Sequence, residues 1–317
     1  MYTICYALVD NQELFYYNQL LISISSIRRH MKDVRIYVLM DEMTNRILLE
    51  KNREEFNNFG LIESIVIKVS DEYTQKQKSR FIKLNVRKLV RGNILYLDTD
   101  TIISRSLPSD ISDASVALVK DFNISLYDRL DYANLEHVVS EYGYCLKVDE
   151  PYYNGGVIWS KDDDVGNLFY DKWLYEWEKH RKMGKLFDQP PLYFVNKEMG
   201  YVISELDDRM NVQITASPFP INYLQEAYII HYLNVVKESC YKLSEKGYQD
   251  KGYNSDEIRK IINNPLSSFN KCRLIRVDDE SNKLYNSLQF RLIKKIANTP
   301  IFGINERILK FIFRKKY

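Results

Sequence analysis

The chain reads as an α/β protein built on a parallel sheet. Short apolar runs alternate with segments of helical period through the first hundred residues. Polar clusters, Asp10-Asn11 and Asp98-Thr99-Asp100, fall at the ends of two of those runs. A hydrophobic fraction of 45% and a charged fraction of 28% are those of a globular protein, and 317 residues suffice for one large α/β domain with a smaller appendage.

The elements follow in order. Thr3 to Val9 is a strand, and Leu14 to Arg29 carries Leu14, Tyr17, Leu21, Ile24 and Ile27 at helical spacing. Val34 to Met40 and Leu61 to Val69 are strands that bracket a helix from Thr44 to Phe59. Gln75 to Val90 is helical and leads to a short strand, Ile94 to Leu97. Helices of this length between strands imply crossover connections, and ligands of such sheets bind beyond the carboxyl ends of the strands. Ser115 to Val119 is a strand ending in Lys120-Asp121, whereas the tyrosine-rich stretch from Ile124 to Val148 shows no clear period. Tyr153-Asn154-Gly155-Gly156 opens a buried strand; its glycines fit either the close approach of a ligand or a bulge. Val165 to Lys182 is a helix, Asp188-Gln189-Pro190-Pro191 a helix start, and Tyr228 to His231 a short strand.

Four scattered cysteines (Cys5, Cys145, Cys240, Cys272) without a C-x-x-C pair fit a reducing cytoplasm and argue against a zinc site. The apolar start has no basic region before it and reads as a first strand, and no apolar run is long enough to span a bilayer. Net charge is only +2, yet the segment from Arg291 to Tyr317 holds eight Lys or Arg and one acid. In its second amphipathic stretch Ile304, Ile308, Phe311 and Ile312 share a face. A basic tail of this kind suits either an anionic membrane surface or a C-terminal helix packed on the body with a solvated basic face; with the scattered cysteines it leads to an expectation of the cytoplasm, or the inner face of the plasma membrane.

Asp98 and Asp100 end a buried strand one residue apart, with no base between them. Such carboxylates repel each other, and a divalent cation shared with substrate phosphates is the usual remedy. A bare Asp-x-Asp is common by chance, so the pair alone does not decide the matter. Lys76, Arg80, Lys83 and Arg87 share one helical face, an arrangement that is usually just solvated.

The order of these motifs resembles the family-8 glycosyltransferases, the glycogenin and bacterial lipopolysaccharide galactosyltransferase group, which have the GT-A fold. The resemblance runs through Ala7-Leu8-Val9-Asp10-Asn11, Arg80 and Lys83, Leu95 to Asp100, Asp121, Tyr153 to Val157, Asp188-Gln189, His231-Tyr232 and Lys237. It implies a GT-A mixed sheet flanked by helices over residues 1–240, with a basic helical extension over residues 241–317. It implies that Asp98, Asp100 and His231 bind Mn²⁺ or Mg²⁺, and an imidazole favours Mn²⁺. Ala7, Val9, Asn11, Thr99, Arg80, Lys83 and Lys237 would hold the nucleotide, with Lys76 and Arg87 left to solvent. Asp121, Asn154, Asp188 and Gln189 would surround the transferred sugar.

The implied activity is transfer of a hexose from a UDP-sugar with retention, onto a glycan or lipid-linked acceptor of a bacterial surface polysaccharide. Nucleic acid is not an expected partner. Three departures stand out: Val9 where the family often has an acid, Gln12 where it has a tyrosine, and Pro190 where it has a second acid after Asp188-Gln189. Three rivals remain. A haloacid-dehalogenase-type phosphatase would want Thr or Val at Ile102 and would open its domain with the motif. A nucleotidylyltransferase would want a glycine-rich loop after the first strand. A degenerate, membrane-bound scaffold would not need Asp98, Asp100 and His231.

Overall fold

The structure, a computed structural model, describes residues 2–53, 55–129, 131–214, 226–233, 241–245, 247–269, 287–290 and 292. Its first half comprises β1 (Thr3–Leu8), α1 (Phe15–His30), β2 (Ile36–Asp41), α2 (Glu42–Glu50), β3 (Ile62–Ile67), α3 (Gln75–Leu89), β4 (Ile94–Leu97), β5 (Thr101–Ile103) and β6 (Val116–Lys120). The second half adds α4 (Tyr132–Ser140), β7 (Tyr153–Ser160), α5 (Asp164–Arg181), α6 (Gln189–Glu198), β8 (Ile203–Glu205), β9 (Val212–Gln213), β10 (Ile229–His231) and α7 (Asp256–Asn263).

Seven strands form one mixed sheet in the order β3-β2-β1-β4-β7-β6-β8. The first four in that order run parallel, β7 runs against both its neighbours, and β6 and β8 are parallel. Both faces of the central strands are covered, as buried parallel strands require. Along β1, Ile4, Tyr6 and Leu8 pack with Leu20, Ile24 and Ile27 of α1. The alternate Cys5 and Ala7 pack with Ile82 and Val86 of α3 and with Trp173 and Trp177 of α5. A second sheet, β5-β10-β9, lies beyond the end of β4.

Several expectations change. The helix expected from Thr44 to Phe59 stops at Glu50; Asn52 takes φ +49° and a 3-10 turn covers Glu55–Phe59. A left-handed residue just past a helix ends it. The tyrosine-rich stretch forms α4 and a small core of its own, in which Leu126, Val139, Tyr142 and Tyr144 meet Tyr193. Arg87 is not left to solvent: it is buried, donates to the carbonyl of Ser160 at 3.4 Å, and pairs with Asp162 at 3.7 Å. Lys76 is exposed.

Tyr241, Leu243, Ile258 and Ile261 share a core with Ile22 of α1, Ile102 of β5 and Ile230 of β10. Lys237, Cys240, Cys272, the tail's basic residues and its amphipathic face lie outside the described residues. No helix among the described residues is long and apolar enough to cross a membrane.

Candidate active site

Strand direction gathers the polar residues at one edge. The carboxyl ends of β1 and β4 point the same way. Because β7 runs against β4, its start meets the end of β4: Leu97 pairs with Val157, and the amide of Asp98 donates to the carbonyl of Gly156 at 2.8 Å. The end of β6 delivers Asp121 to the same edge. After Asp98 the chain turns at Thr99-Asp100 into β5, which pairs antiparallel with β10 and sets His231 opposite Thr101. Residues 131 positions apart thereby become neighbours, and His231 Nε2 lies 3.1 Å from Asp100 Oδ1.

Asp98, Asp100 and His231 each offer a ligand atom, all within 4.8 Å of one another. His231 is buried, while the two carboxylates keep part of their surface open. The Tyr96 hydroxyl donates to Asp98 Oδ1 at 2.8 Å. Gly156 makes room for the imidazole: a Cβ there would stand 2.1 Å from His231 Cε1 and 3.0 Å from Asp98 Oδ2. Two carboxylate oxygens and an imidazole nitrogen form a donor set that fits Mn²⁺ and, less well, Mg²⁺. Burial pushes the Asp100 carboxyl up, but the charge and hydrogen bond of His231 outweigh it and hold it below the usual range. Burial would lower His231, and Asp100 raises it above its ordinary value.

Arg80 and Lys83, expected on the donor side, both face this cluster from α3. Lys83 Nζ lies 3.0 Å from Asp188 Oδ2 and 3.9 Å from Asp98 Oδ1; Arg80 Nε lies 3.9 Å from Asp188 Oδ1. Burial raises Asp188, and the two cations more than offset it, so its carboxyl sits below the usual range. Gly155, the other half of the glycine pair, lies against Lys83, where a Cβ would come 3.0 Å from Nζ.

Asp188 and Gln189 open α6, whose prolines occupy the first turn, where missing amide protons cost nothing. Trp173 Nε1 donates to the Asp188 carbonyl at 2.8 Å. Gln189 Nε2 donates to Asp121 Oδ1 at 3.2 Å and to the Tyr153 carbonyl at 3.1 Å. Asn154 Nδ2 also donates to Asp121 Oδ1, at 3.1 Å. Asp121, Asn154 and Gln189 therefore share one hydrogen-bond network, and Asp188 precedes Gln189 at the start of α6.

The first-strand loop is different. Ala7 and Val9 are buried at the end of β1, and Asn11 is exposed. Asn11 Oδ1 accepts from the amide of Glu13, and Gln75 Nε2 donates to the Val9 carbonyl at 3.3 Å. Asp10 is buried; its carboxylate accepts from the amides of Asn11 and Tyr17 and so ties the loop to α1. The Thr99 hydroxyl is engaged by Gln19 Oε1 of α1 at 3.1 Å.

Sequence reading missed two residues of this edge. Arg129 is buried and donates from Nη1 to Asp121 Oδ2 at 2.6 Å. Asn211, fully buried, joins His231 to Asn154. Arg129 sits in the stretch without a clear period and Asn211 in a segment given no element by its sequence, and only pairing in space singles them out.

No protein-family model matches the chain, and no curated protein sequence is significantly similar to it. Solved structures do share its fold. A galactosyltransferase, LgtC, solved with donor and acceptor sugar analogues, superposes with a TM-score of 0.54 at 17% identity over 88% of this chain and 99% of its own. The glycosyltransferase GlyE of Streptococcus pneumoniae TIGR4 gives 0.52 at 17% identity over 87% of this chain and 67% of its own. The bifunctional glycosyltransferase WbbM gives 0.52 at 14% identity, over 83% and 52%. The chain has the GT-A fold, with the mixed sheet and flanking helices of these proteins.

Proposed function

We propose that the chain is a retaining glycosyltransferase that moves a hexose from a UDP-sugar to a glycan or lipid-linked acceptor. The observation that carries this reading is the convergence of Asp98, Asp100 and His231 within 4.8 Å, on a GT-A fold, beside the Lys83–Asp188 pair. The similar proteins are glycosyltransferases, one of them solved with donor and acceptor sugar analogues, which supports donor and acceptor sugars as the substrates.

Asp98, Asp100 and His231 would hold Mn²⁺, which when bound supplies charge neutralisation for a departing diphosphate. Lys83 and Arg80 add fixed positive charge on the same side. Lys237, six residues beyond His231, would reach the phosphates in the same way. The backbone of Ala7, Val9 and Asn11 would take the uridine, with Thr99 beside it. Asp121, Asn154 and Asp188 would accept or donate to the sugar hydroxyls.

Gln189 spends both amide protons on Asp121 and Tyr153, so its Oε1 is the atom left to face the sugar. An amide oxygen is a poor nucleophile, which favours attack from the front face without a covalent intermediate. The acceptor oxygen bonds to the anomeric carbon as the bond to phosphate breaks, and its proton passes to the departing phosphate oxygen. Gln189 and Asp188 then stabilise positive charge developing on the ring. The basic tail would bring the enzyme to an anionic membrane at the cytoplasmic side, where a lipid-linked acceptor for surface polysaccharide is built.

The test is a panel of nucleotide-sugars incubated with the full chain, with and without Mn²⁺. One UDP-sugar should be consumed in a Mn²⁺-dependent way, and the product should keep the donor's anomeric configuration by proton NMR. An inverted product would end the front-face reading.

A further inference from the structure

A chain of buried side chains links the cation cluster to the sugar pocket. His231 Nδ1 lies 3.2 Å from Asn211 Oδ1, and Asn211 Nδ2 donates to Asn154 Oδ1 at 3.0 Å. Asn154 Nδ2 donates to Asp121 Oδ1 at 3.1 Å, and Arg129 Nη1 donates to Asp121 Oδ2 at 2.6 Å. All five residues are less than a tenth exposed.

The direction of this chain is fixed from its far end. Arg129 forms an ion pair with Asp121, whose carboxylate oxygens only accept. The atom of Asn154 facing Asp121 must therefore be its nitrogen. The amide of Gly156 donates to Asn154 Oδ1 at 2.9 Å and imposes the same orientation independently. Asn211 must then present its nitrogen to Asn154 and its oxygen to His231. That oxygen takes the proton of Nδ1, so Nε2 is the ring nitrogen left to face Asp100 and the cation cluster.

We propose that Asn211 is a positioning residue that couples the two halves of the site. One carboxamide holds the imidazole for the cation with its oxygen and Asn154 for the sugar with its nitrogen. This rests on the glycosyltransferase reading for its kinetic consequence, but not for its geometry.

The two halves of the amide can be separated. Asn211→Asp keeps an acceptor for His231 and loses the donor to Asn154, whereas Asn211→Leu loses both. Mn²⁺ binding to the full chain, measured by electron paramagnetic resonance, should stay within about threefold of wild type in Asn211→Asp and weaken about 10–100-fold in Asn211→Leu, the usual cost of losing an outer partner of a ligand. Donor-sugar consumption should fall about tenfold or more in kcat in both variants, with little change in KM for the donor in Asn211→Asp. Should Asn211→Leu fail to fold, Asn211→Ala takes its place.

A readout without metal or substrate comes from the side-chain amide resonances of Asn154 and Gln189 in the ¹⁵N-labelled full chain. Asn211→Asp should shift both, because Asn154 Oδ1 loses a donor and faces a carboxylate, and Asp121 carries the change to Gln189. Movement of neither resonance, or equal loss of Mn²⁺ binding in the two variants, would overturn the proposal. If the wild type consumes no nucleotide-sugar but the resonances move as stated, the enzymatic reading fails and the coupling stands.

Discussion

The two ends of the site are built by different means. At the end proposed for the diphosphate and sugar, side chains from six elements or their flanks interlock: Lys83, Asp98, Asp121, Asn154, Asp188 and His231 are held by ion pairs and hydrogen bonds. At the end proposed for the nucleoside, Ala7 and Val9 lie at the end of β1, Asn11 is exposed, and one side-chain hydrogen bond, from Gln75, reaches the Val9 carbonyl. Charge explains the contrast. A diphosphate and a developing cation need groups fixed before the reaction, since fixed dipoles and charges lose nothing to reorganisation. A flat base can be read by backbone atoms whose positions the strand already sets.

The sharpest way to break the contrast is Gly156→Ala. A methyl group 2.1 Å from the imidazole must displace it, so Mn²⁺ binding should fall at least about 100-fold, a loss of the size that displaced ligands and their supporting groups produce. Gly155→Ala is the matching control. Its methyl group meets the flexible end of Lys83 at 3.0 Å, so Mn²⁺ binding should change far less. Both are read by electron paramagnetic resonance.

Lys83→Met comes next. Among the described residues, it leaves Arg80, 3.9 Å away, as the one cation beside the buried Asp188. Removing one partner of a buried pair costs about 3–5 kcal/mol, and chemical denaturation should show a loss approaching that range. Asp188→Asn in the same background should recover part of it, because no unpaired charge remains.

The smallest effect belongs to the nucleoside end. Gln75→Ala removes one partly exposed hydrogen bond, worth about 1 kcal/mol. UDP affinity by calorimetry should weaken by no more than about fivefold. A loss as large as that of Gly156→Ala would mean that side chains, not backbone, read the base.

How much was legible in the sequence follows from range. The parallel β1 to β4 core showed itself because period and length are local, and the carboxyl edge followed from strand direction. Asp98 and Asp100 sit in that local pattern. His231 was legible as the end of a short strand, but its pairing with β5 more than 120 residues away was not, so only the resemblance placed it beside them. Asn211 and Arg129 gave no signal, since their meaning lies wholly in partners 20 and 8 residues away. Arg87 misled for the opposite reason. Its helical spacing matched that of Arg80 and Lys83, but burial against Ser160 turned a solvated face into an anchor.

Calorimetric titration of UDP into the full chain, with Mn²⁺ and then with EDTA, tests the central claim most directly. Binding should be seen with Mn²⁺, weaken at least about tenfold without it, and match the EDTA value in Asp100→Asn even when Mn²⁺ is present, as expected when a cation carries the phosphate charge. Equal UDP affinity in Mn²⁺ and EDTA would contradict the account, because Asp98, Asp100 and His231 would then have no part in holding the nucleotide.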